Sequence, residues 1–166
     1  MKIKIMIIFA ILTFIPPRVD GEELSPVSAE CIHQAALHHN VPVAALYGIL
    51  AVERGTVGER SKNKNGTEDY GVMQVNTCWL EELEEQGISA EQLENNGCLN
   101  VFTSAWILKK HLDTTGNIWL AIGRYHSGTK DYAKNYTLKI FQNLIQITDY
   151  EQIIQRANKN IGEQLL

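Results

Sequence analysis

Apolar side chains recur every three or four positions along most of the chain, and this spacing predicts a series of short helices. The first predicted helix covers residues 25–40. The second runs from Pro42 to Gly55, since proline favours a first helical turn and glycine a helix end. Further helices are predicted over residues 77–86, 98–111, 117–125, 132–144 and 153–161. Strict alternation of apolar and polar residues is not sustained anywhere, so we expect a mainly α fold without internal repeats.

Residues 58–69 interrupt the helical pattern. They are polar and rich in turn-forming residues, and Asn65-Gly66 is a strong turn dipeptide. The sequence therefore predicts a surface loop after the second helix.

The first 21 residues have the pattern of a secretory signal peptide. Two lysines precede an apolar run from Ile5 to Ile15, and two prolines follow it. The run is shorter than the roughly 20 residues that a membrane-spanning helix needs, so an uncleaved N-terminal anchor is the less favoured alternative. We therefore expect an exported protein.

Composition narrows the class of protein further. The chain has 166 residues, 45% of them hydrophobic and 20% charged, which is sufficient for one globular domain with a core. A formal net charge of −4 argues against a nucleic-acid binder, because contacts to phosphates need a basic surface. The cysteines Cys31, Cys78 and Cys98 lie in separate segments and form no metal-ligand motif. Export permits one disulfide, and spacing alone leaves three pairings open.

Glu53 lies on the apolar stripe of the second predicted helix. It follows Leu46, Ile49 and Leu50 at helical spacing, so its carboxyl group projects from the face that those residues bury. Burial raises the pKa of a carboxyl group, and a carboxylic acid that stays protonated near neutral pH can act as a general acid. The alternative is an edge glutamate that reaches water.

Two further segments carry side chains suited to binding a sugar. Met73, Gln74 and Asn76 combine an apolar group with two amides, and Gly71 permits a close backbone approach. Tyr125 ends a predicted helix, where its hydroxyl group could hold a catalytic carboxyl in place.

In this order, the segments resemble the soluble lytic transglycosylase (SLT) domain. The resemblance runs from about Cys31 to about Leu144 and is carried by the helix-borne Glu53, then NGTEDYGVMQVN, GCLN, AWIL and RYHSG. It implies a goose-type, lysozyme-like helical domain with a glycan-binding cleft. The chain is similar to the small exported members that accompany conjugation, type IV pilus and type III secretion machines.

The resemblance implies a role for each matched residue. Glu53 corresponds to the lone catalytic glutamate, and Tyr125 to the tyrosine that faces and holds this acid. The glycan-binding residues are then Gly71, Met73, Gln74, Asn76 and Tyr125. The chain departs from the family pattern at Arg54, where serine is usual, and at His126-Ser127, which replaces Asn-Ala.

Cys31 and Cys98 match a cysteine pair that similar members bridge by a disulfide, which leaves Cys78 free. The implied organisation is a signal peptide at residues 1–21, a catalytic domain at 22–148 and a C-terminal helical tail at 149–166. The tail lies outside the resemblance, so the sequence leaves open whether it packs on the domain or meets a partner.

The implied activity is cleavage of peptidoglycan between N-acetylmuramic acid and N-acetylglucosamine, with formation of a 1,6-anhydro ring. The resemblance implies a monomer in the periplasm that needs no metal and no organic cofactor. Its substrate is the glycan strand, and its partners are components of a pilus, conjugation or secretion machine.

Three alternatives are open at this point. A lysozyme-type hydrolase would use Glu68 or Asp69 as a second carboxylate. A non-catalytic wall-binding component of a secretion machine would retain Glu53 without using it. A cysteine hydrolase would use Cys78 as its nucleophile.

Overall fold

The structure, a computed structural model, describes residues 24–147 and 149–163. The expected signal peptide at residues 1–21 lies outside the described residues. The helices are α1 (Ala29–His39), α2 (Val43–Glu53), α3 (Leu80–Glu84), α4 (Ala90–Asn95), α5 (Gly97–Thr115), α6 (Ile118–His126), α7 (Lys130–Gln146), α8 (Tyr150–Ala157) and α9 (Lys159–Glu163). The strands are β1 (Arg60–Lys62), β2 (Glu68–Tyr70) and β3 (Val75–Asn76). The prediction of a mainly α fold is confirmed.

Polar residues just outside the helices set several of the helix ends. The Ser28 hydroxyl group accepts a hydrogen bond from the Cys31 N–H at 3.1 Å and caps the start of α1. Asn40 ends α1 in the left-handed conformation, with φ of 52°. The Asn117 side chain accepts from the N–H groups of Trp119 and Leu120 and caps the start of α6.

Residues 58–69 form a β-hairpin and not the predicted loop. β1 and β2 pair antiparallel around the Asn65-Gly66 turn, with Arg60 opposite Tyr70, and β3 adds a third antiparallel strand. Each strand has only two or three residues, which is too short for alternation to appear in the sequence. The hairpin places its polar side chains at the edge of the cleft described below.

The core is built around α2, which is buried on all sides from Ala45 to Ala51. It packs against α1, α7 and α8, while α5 packs against α1 and α6. A smaller apolar cluster beneath the hairpin contains Tyr70, Val75 and Leu83. The carboxyl end of α2 thus reaches the surface between the hairpin and the α6–α7 pair.

The C-terminal helices pack on the domain. Ile153, Ile154 and Ala157 of α8 are buried in the core that α2 occupies. The Asn158 side chain donates to the carbonyl group of Val27 at 2.6 Å and accepts from its N–H at 2.7 Å. This side-chain bridge joins the two ends of the described chain.

A disulfide joins Cys31 of α1 to Cys98 of α5 and closes a separation of 67 positions. This is the pairing that the resemblance implies. Cys78 is exposed and free. Among the described residues, no helix combines the length and the apolar content that crossing a membrane requires.

Candidate active site

A polar cleft of about 500 Å³ opens where three parts of the chain meet. Glu53 comes from the end of α2, and Arg124 to Gly128 come from the end of α6 and the turn that follows. The hairpin region supplies Asn63, Asn65, Thr67, Asp69, Gln74 and Asn76. Amides and hydroxyl groups of this kind match the hydrogen-bonding needs of a sugar chain.

Glu53 reaches the cleft because α2 ends there. Arg54 adopts the left-handed conformation, with φ of 60°, and the buried Gly55 follows it. A Cβ atom at position 55 would lie 2.2 Å from the carbonyl oxygen of Gly71 and 2.7 Å from Nε2 of Gln74. Any side chain at position 55 would clash with the segment that carries Gln74, so glycine is required where the chain leaves α2. Gly55 thus has a packing role next to the candidate acid.

The surroundings of Glu53 favour its protonated form. Burial is the main cause that raises the pKa of Glu53 to about 7, and the negative charge of Asp69 raises it further. A hydrogen bond from Tyr136 and the charge of Lys139 act in the opposite direction. A carboxyl group with this pKa holds a proton for part of the time at neutral pH, so it can donate one and take one back.

Tyr136 of α7 holds the Glu53 carboxyl group. Its hydroxyl group donates to Oε1 of Glu53 at 2.5 Å across 83 positions of sequence. The ring of His126 is stacked on the Tyr136 ring, with centroids 4.5 Å apart and planes within 2°. The sequence places Tyr136 on a buried helical stripe, and the polar hydroxyl group on that stripe is the signal that could have identified it.

The prediction that Tyr125 holds the acid is wrong. The Tyr125 hydroxyl group donates to the carbonyl group of Met73 at 2.9 Å and lies 3.0 Å from the hydroxyl oxygen of Ser104. Tyr125 lines the cleft. Its hydrogen bonds connect the Met73 segment to α6, which carries Tyr125, and to α5, which carries Ser104. The cause is geometric, since the side chain leaves α6 towards Ser104 while α7 presents Tyr136 to the acid.

Gly71 and Met73 lie behind the cleft wall and not on its surface. Met73 is fully buried in the main core, and its N–H donates to Oδ1 of Asn100 at 2.9 Å. Gly71 is buried and its N–H donates to the carbonyl group of Glu59 at 2.8 Å. Their predicted contact with substrate is therefore corrected to a structural role, because burial keeps both from the cleft. Asn100, which sequence reasoning missed, fixes this segment.

Gln74 and Asn76 line the cleft, and both are already hydrogen-bonded within the protein. Oε1 of Gln74 accepts from the Ser61 hydroxyl group at 2.6 Å. Nδ2 of Asn76 donates to Oδ1 of Asp69 at 2.6 Å, and Nδ2 of Asn63 donates to Oδ2 of Asp69 at 2.7 Å. Two amides thus hold the Asp69 carboxylate in one orientation within the cleft.

Trp79 also lines the cleft, together with His111 and Cys78. Its ring meets that of Trp106 edge to face at 5.7 Å. Partial desolvation by the surrounding residues raises the pKa of the Cys78 thiol, which is opposite to the change that activates a cysteine nucleophile. Within the described residues, no group of three or more histidine, cysteine, aspartate or glutamate side chains is placed to hold a metal ion.

Comparison with known proteins places this cleft in a family. Residues 30–143 match the family described as "Transglycosylase SLT domain". The chain is 32% identical over 142 residues to the "Invasion protein IagB" of Salmonella typhi, which covers 81% of this chain and 86% of that protein. It is 33% identical over 133 residues to the "Protein IpgF" of Shigella flexneri, covering 80% and 86%.

A third relative is the "Peptidoglycan-binding-like protein" of Escherichia coli O157:H7, which is 28% identical over 135 residues. The alignment covers 76% of this chain and 77% of that protein. The family match includes every residue that lines the cleft, from Glu53 to Gly128, and also Tyr136 on α7. The chain therefore belongs to the SLT transglycosylase domain family, as its ordered motifs indicate.

Proposed function

We propose that this protein is a peptidoglycan lytic transglycosylase with Glu53 as its one catalytic acid and base. The observation that carries the proposal is the Glu53 carboxyl group, which has a pKa raised to about 7 and lies in a polar cleft of about 500 Å³. Membership of the SLT transglycosylase domain family supports the same activity.

The reaction follows from a single carboxyl group that gives up a proton and then recovers one. Protonated Glu53 donates to the glycosidic oxygen between N-acetylmuramic acid and N-acetylglucosamine, and the C1–O bond breaks. Glu53, now a carboxylate, accepts the proton of the C6 hydroxyl group of the muramic acid. The C6 oxygen bonds to C1 and closes the 1,6-anhydro ring, so no water is consumed and Glu53 ends protonated.

The other polar groups position the acid and the glycan. Tyr136 holds Oε1 of Glu53 at 2.5 Å. Gln74 has one amide N–H left to donate to a sugar oxygen. Both N–H groups of Asn76 are used within the protein, so its amide oxygen can accept from a sugar hydroxyl group. Asp69 contributes a fixed negative charge that adds to the effect of burial in raising the pKa of Glu53 and stabilises positive charge on the sugar ring.

A lysozyme-type hydrolase is the alternative that uses Asp69 as well as Glu53. Each Asp69 oxygen accepts a hydrogen bond from an amide, at 2.6 and 2.7 Å. A carboxylate held in this way can stabilise positive charge on the sugar ring in either reaction. The products of the reaction therefore distinguish the two.

Product analysis tests the proposal. Purified protein should release muropeptides that end in 1,6-anhydro-N-acetylmuramic acid from isolated cell walls, and Glu53→Gln should release none. The matched control is Glu84→Gln, which changes an exposed glutamate of α3 and should keep full activity.

Mass spectrometry separates the alternatives, since a hydrolase would yield products heavier by one water for each cut. Binding to peptidoglycan without soluble products would indicate a wall-binding protein. Loss of cleavage in Cys78→Ala would support the alternative in which Cys78 is the nucleophile of a hydrolase.

We also propose that the protein acts in the periplasm for a secretion machine. The name of the Salmonella typhi relative, an invasion protein, and its coverage of 81% of this chain support the link. Deletion of the gene should reduce assembly of such a machine, and the Glu53→Gln protein should fail to restore it. Unchanged assembly after deletion would contradict the link.

A further inference from the structure

His126 contacts both the catalytic cleft and the tyrosine that holds the candidate acid. It is the last residue of α6, and only the turn of residues 127–129 separates it from α7. The side chain is exposed and lines the cleft. Its ring nevertheless lies flat on the ring of Tyr136, with centroids 4.5 Å apart and planes within 2°. Asparagine, which the family pattern has at this position, has no ring that could make this contact.

The contact acts on a tyrosine whose orientation matters to Glu53. Tyr136 is 3% exposed and belongs to the main core. Its hydroxyl group, at the far end of the ring, donates to Oε1 of Glu53 at 2.5 Å. A small tilt of the ring moves this hydroxyl group further than the rest of the side chain, and a hydrogen bond weakens steeply with distance and angle. The His126 ring covers one face of Tyr136 and therefore restricts the tilt that would break the bond.

Neither charge nor core packing accounts for the contact. Partial burial is the main cause that lowers the pKa of His126, the charge of Lys139 lowers it further and the charge of Asp69 raises it. The imidazole is therefore mostly neutral at the pH at which Glu53 titrates. An exposed, neutral side chain contributes little to the stability of the fold. A flat stack on a buried ring still fixes the orientation of that ring.

We propose that His126 is a positioning residue that holds the Tyr136 hydroxyl group against Glu53. This inference rests on the proposed function, because it assigns His126 a role in the same reaction. The contacts run from α6 through α7 to α2, since His126 stacks on Tyr136 and Tyr136 binds Glu53. Loss of the stack should lower kcat and leave KM unchanged, because the acid is less well oriented while the glycan still binds.

A double-mutant cycle of His126→Ala and Tyr136→Phe tests the proposal through muropeptide release. In the native background, His126→Ala should lower kcat about fivefold and leave KM within about twofold, since a stacking contact of about 1 kcal/mol corresponds to this factor. In the Tyr136→Phe background the ring remains but the hydroxyl group is absent. The same substitution should there change kcat by less than about 1.5-fold. His126→Phe keeps an aromatic ring and should restore kcat to within about twofold of the native value.

The matched control is His33→Ala. His33 of α1 is exposed, and its ring lies 6.1 Å from that of the buried Tyr47. The substitution thus removes a histidine next to a buried tyrosine at a place that does not line the cleft. It should leave both kcat and KM unchanged.

An NMR titration of the Glu53 carboxyl carbon gives a readout that needs no activity. The hydrogen bond from Tyr136 lowers the pKa of Glu53, so His126→Ala should raise this pKa by about 0.5. In the Tyr136→Phe background the same substitution should leave it unchanged. A native protein that cleaves no peptidoglycan would contradict the proposed function alone, because the titration still reports how His126 acts on the acid.

Each other outcome overturns the proposal. An equal loss of kcat in both backgrounds would show that His126 acts without the Tyr136 hydroxyl group. A rise in KM in place of a fall in kcat would assign His126 to binding of the glycan. A lower pKa of Glu53 in His126→Ala would show that the ring excludes water from the acid instead. Failure of His126→Phe to restore kcat would assign the effect to the imidazole group and not to the stack.

Discussion

Glu53 experiences two opposing influences that come from different elements. Burial and the charge of Asp69 raise its pKa, while the hydroxyl group of Tyr136 and the charge of Lys139 lower it. The balance keeps the pKa at about 7. A carboxyl group that both gives and takes a proton works best when its pKa lies near the pH at which it operates.

Replacement of Tyr136 by phenylalanine should separate the positioning of Glu53 from its titration. The lost hydrogen bond favoured the carboxylate, so the pKa of Glu53 should rise and the alkaline limb of activity should move up by about one pH unit. The kcat at the optimum should fall about tenfold, because the acid loses its anchor. The measurement is a pH profile of muropeptide release.

The control for this variant is Tyr132→Phe, which removes an exposed hydroxyl group from the same helix. It should leave both kcat and the profile unchanged. If the alkaline limb of the pH profile moves to lower pH in Tyr136→Phe, the Tyr136 hydroxyl group favours the protonated form of Glu53 instead.

The raised pKa of Glu53 also makes stability depend on pH. Between pH 4.5 and about 7 the folded protein retains a proton that the unfolded chain releases, so the free energy of unfolding falls as pH rises through this window. Glutamine has no such proton. Relative to the native protein, Glu53→Gln should therefore gain about 3 kcal/mol in stability between pH 4 and pH 8.

Urea unfolding at several pH values measures this difference. Glu84→Gln serves as the control, since an exposed carboxylate should show no comparable gain. A difference for Glu53→Gln that stays constant with pH would mean that Glu53 titrates alike in the folded and unfolded states.

At the scale of elements, α8 completes the core from the end of the chain. Ile154 of α8 is 6% exposed, whereas Ile145 of α7 is 68% exposed. Ile154→Ala should reduce the free energy of unfolding by about 2–4 kcal/mol, because it leaves a cavity. The same substitution at Ile145 should cost less than about 0.5 kcal/mol.

Urea unfolding of the two variants tests this difference directly. Equal effects would show that α8 does not pack on the domain in solution. The activity of Ile154→Ala at low temperature, where it stays folded, should match that of the native protein, since α8 lies outside the cleft.

At the scale of the whole molecule, the disulfide ties α1 to α5 across 67 positions. Closing a loop of this length restricts the unfolded chain, and the expected stabilisation is about 4 kcal/mol. The double variant Cys31→Ser/Cys98→Ser should lose about this much in urea unfolding. Cys78→Ser, which removes the exposed free thiol, should lose none.

The helices are the part of the fold that the sequence predicts best. Helical periodicity and turn residues locate α1, α2, α5, α6 and α7 to within a few residues, because these signals are local. The hairpin escapes prediction because its strands have two or three residues each. Its formation depends on pairing between strands and on the apolar cluster beneath it, and neither is a local property.

By itself, the sequence placed Glu53 on an apolar helical stripe, because the period of the helix fixes which positions share a face. The resemblance of the ordered motifs then singled it out as the candidate acid. Only the tertiary structure decided which tyrosine holds it. Tyr125 and Tyr136 lie on different helices, and the packing of α6 on α7 turns one towards Ser104 and the other towards Glu53. The pKa of the acid was decided at the same level, because burial and charge at Glu53 come from residues that are distant in sequence.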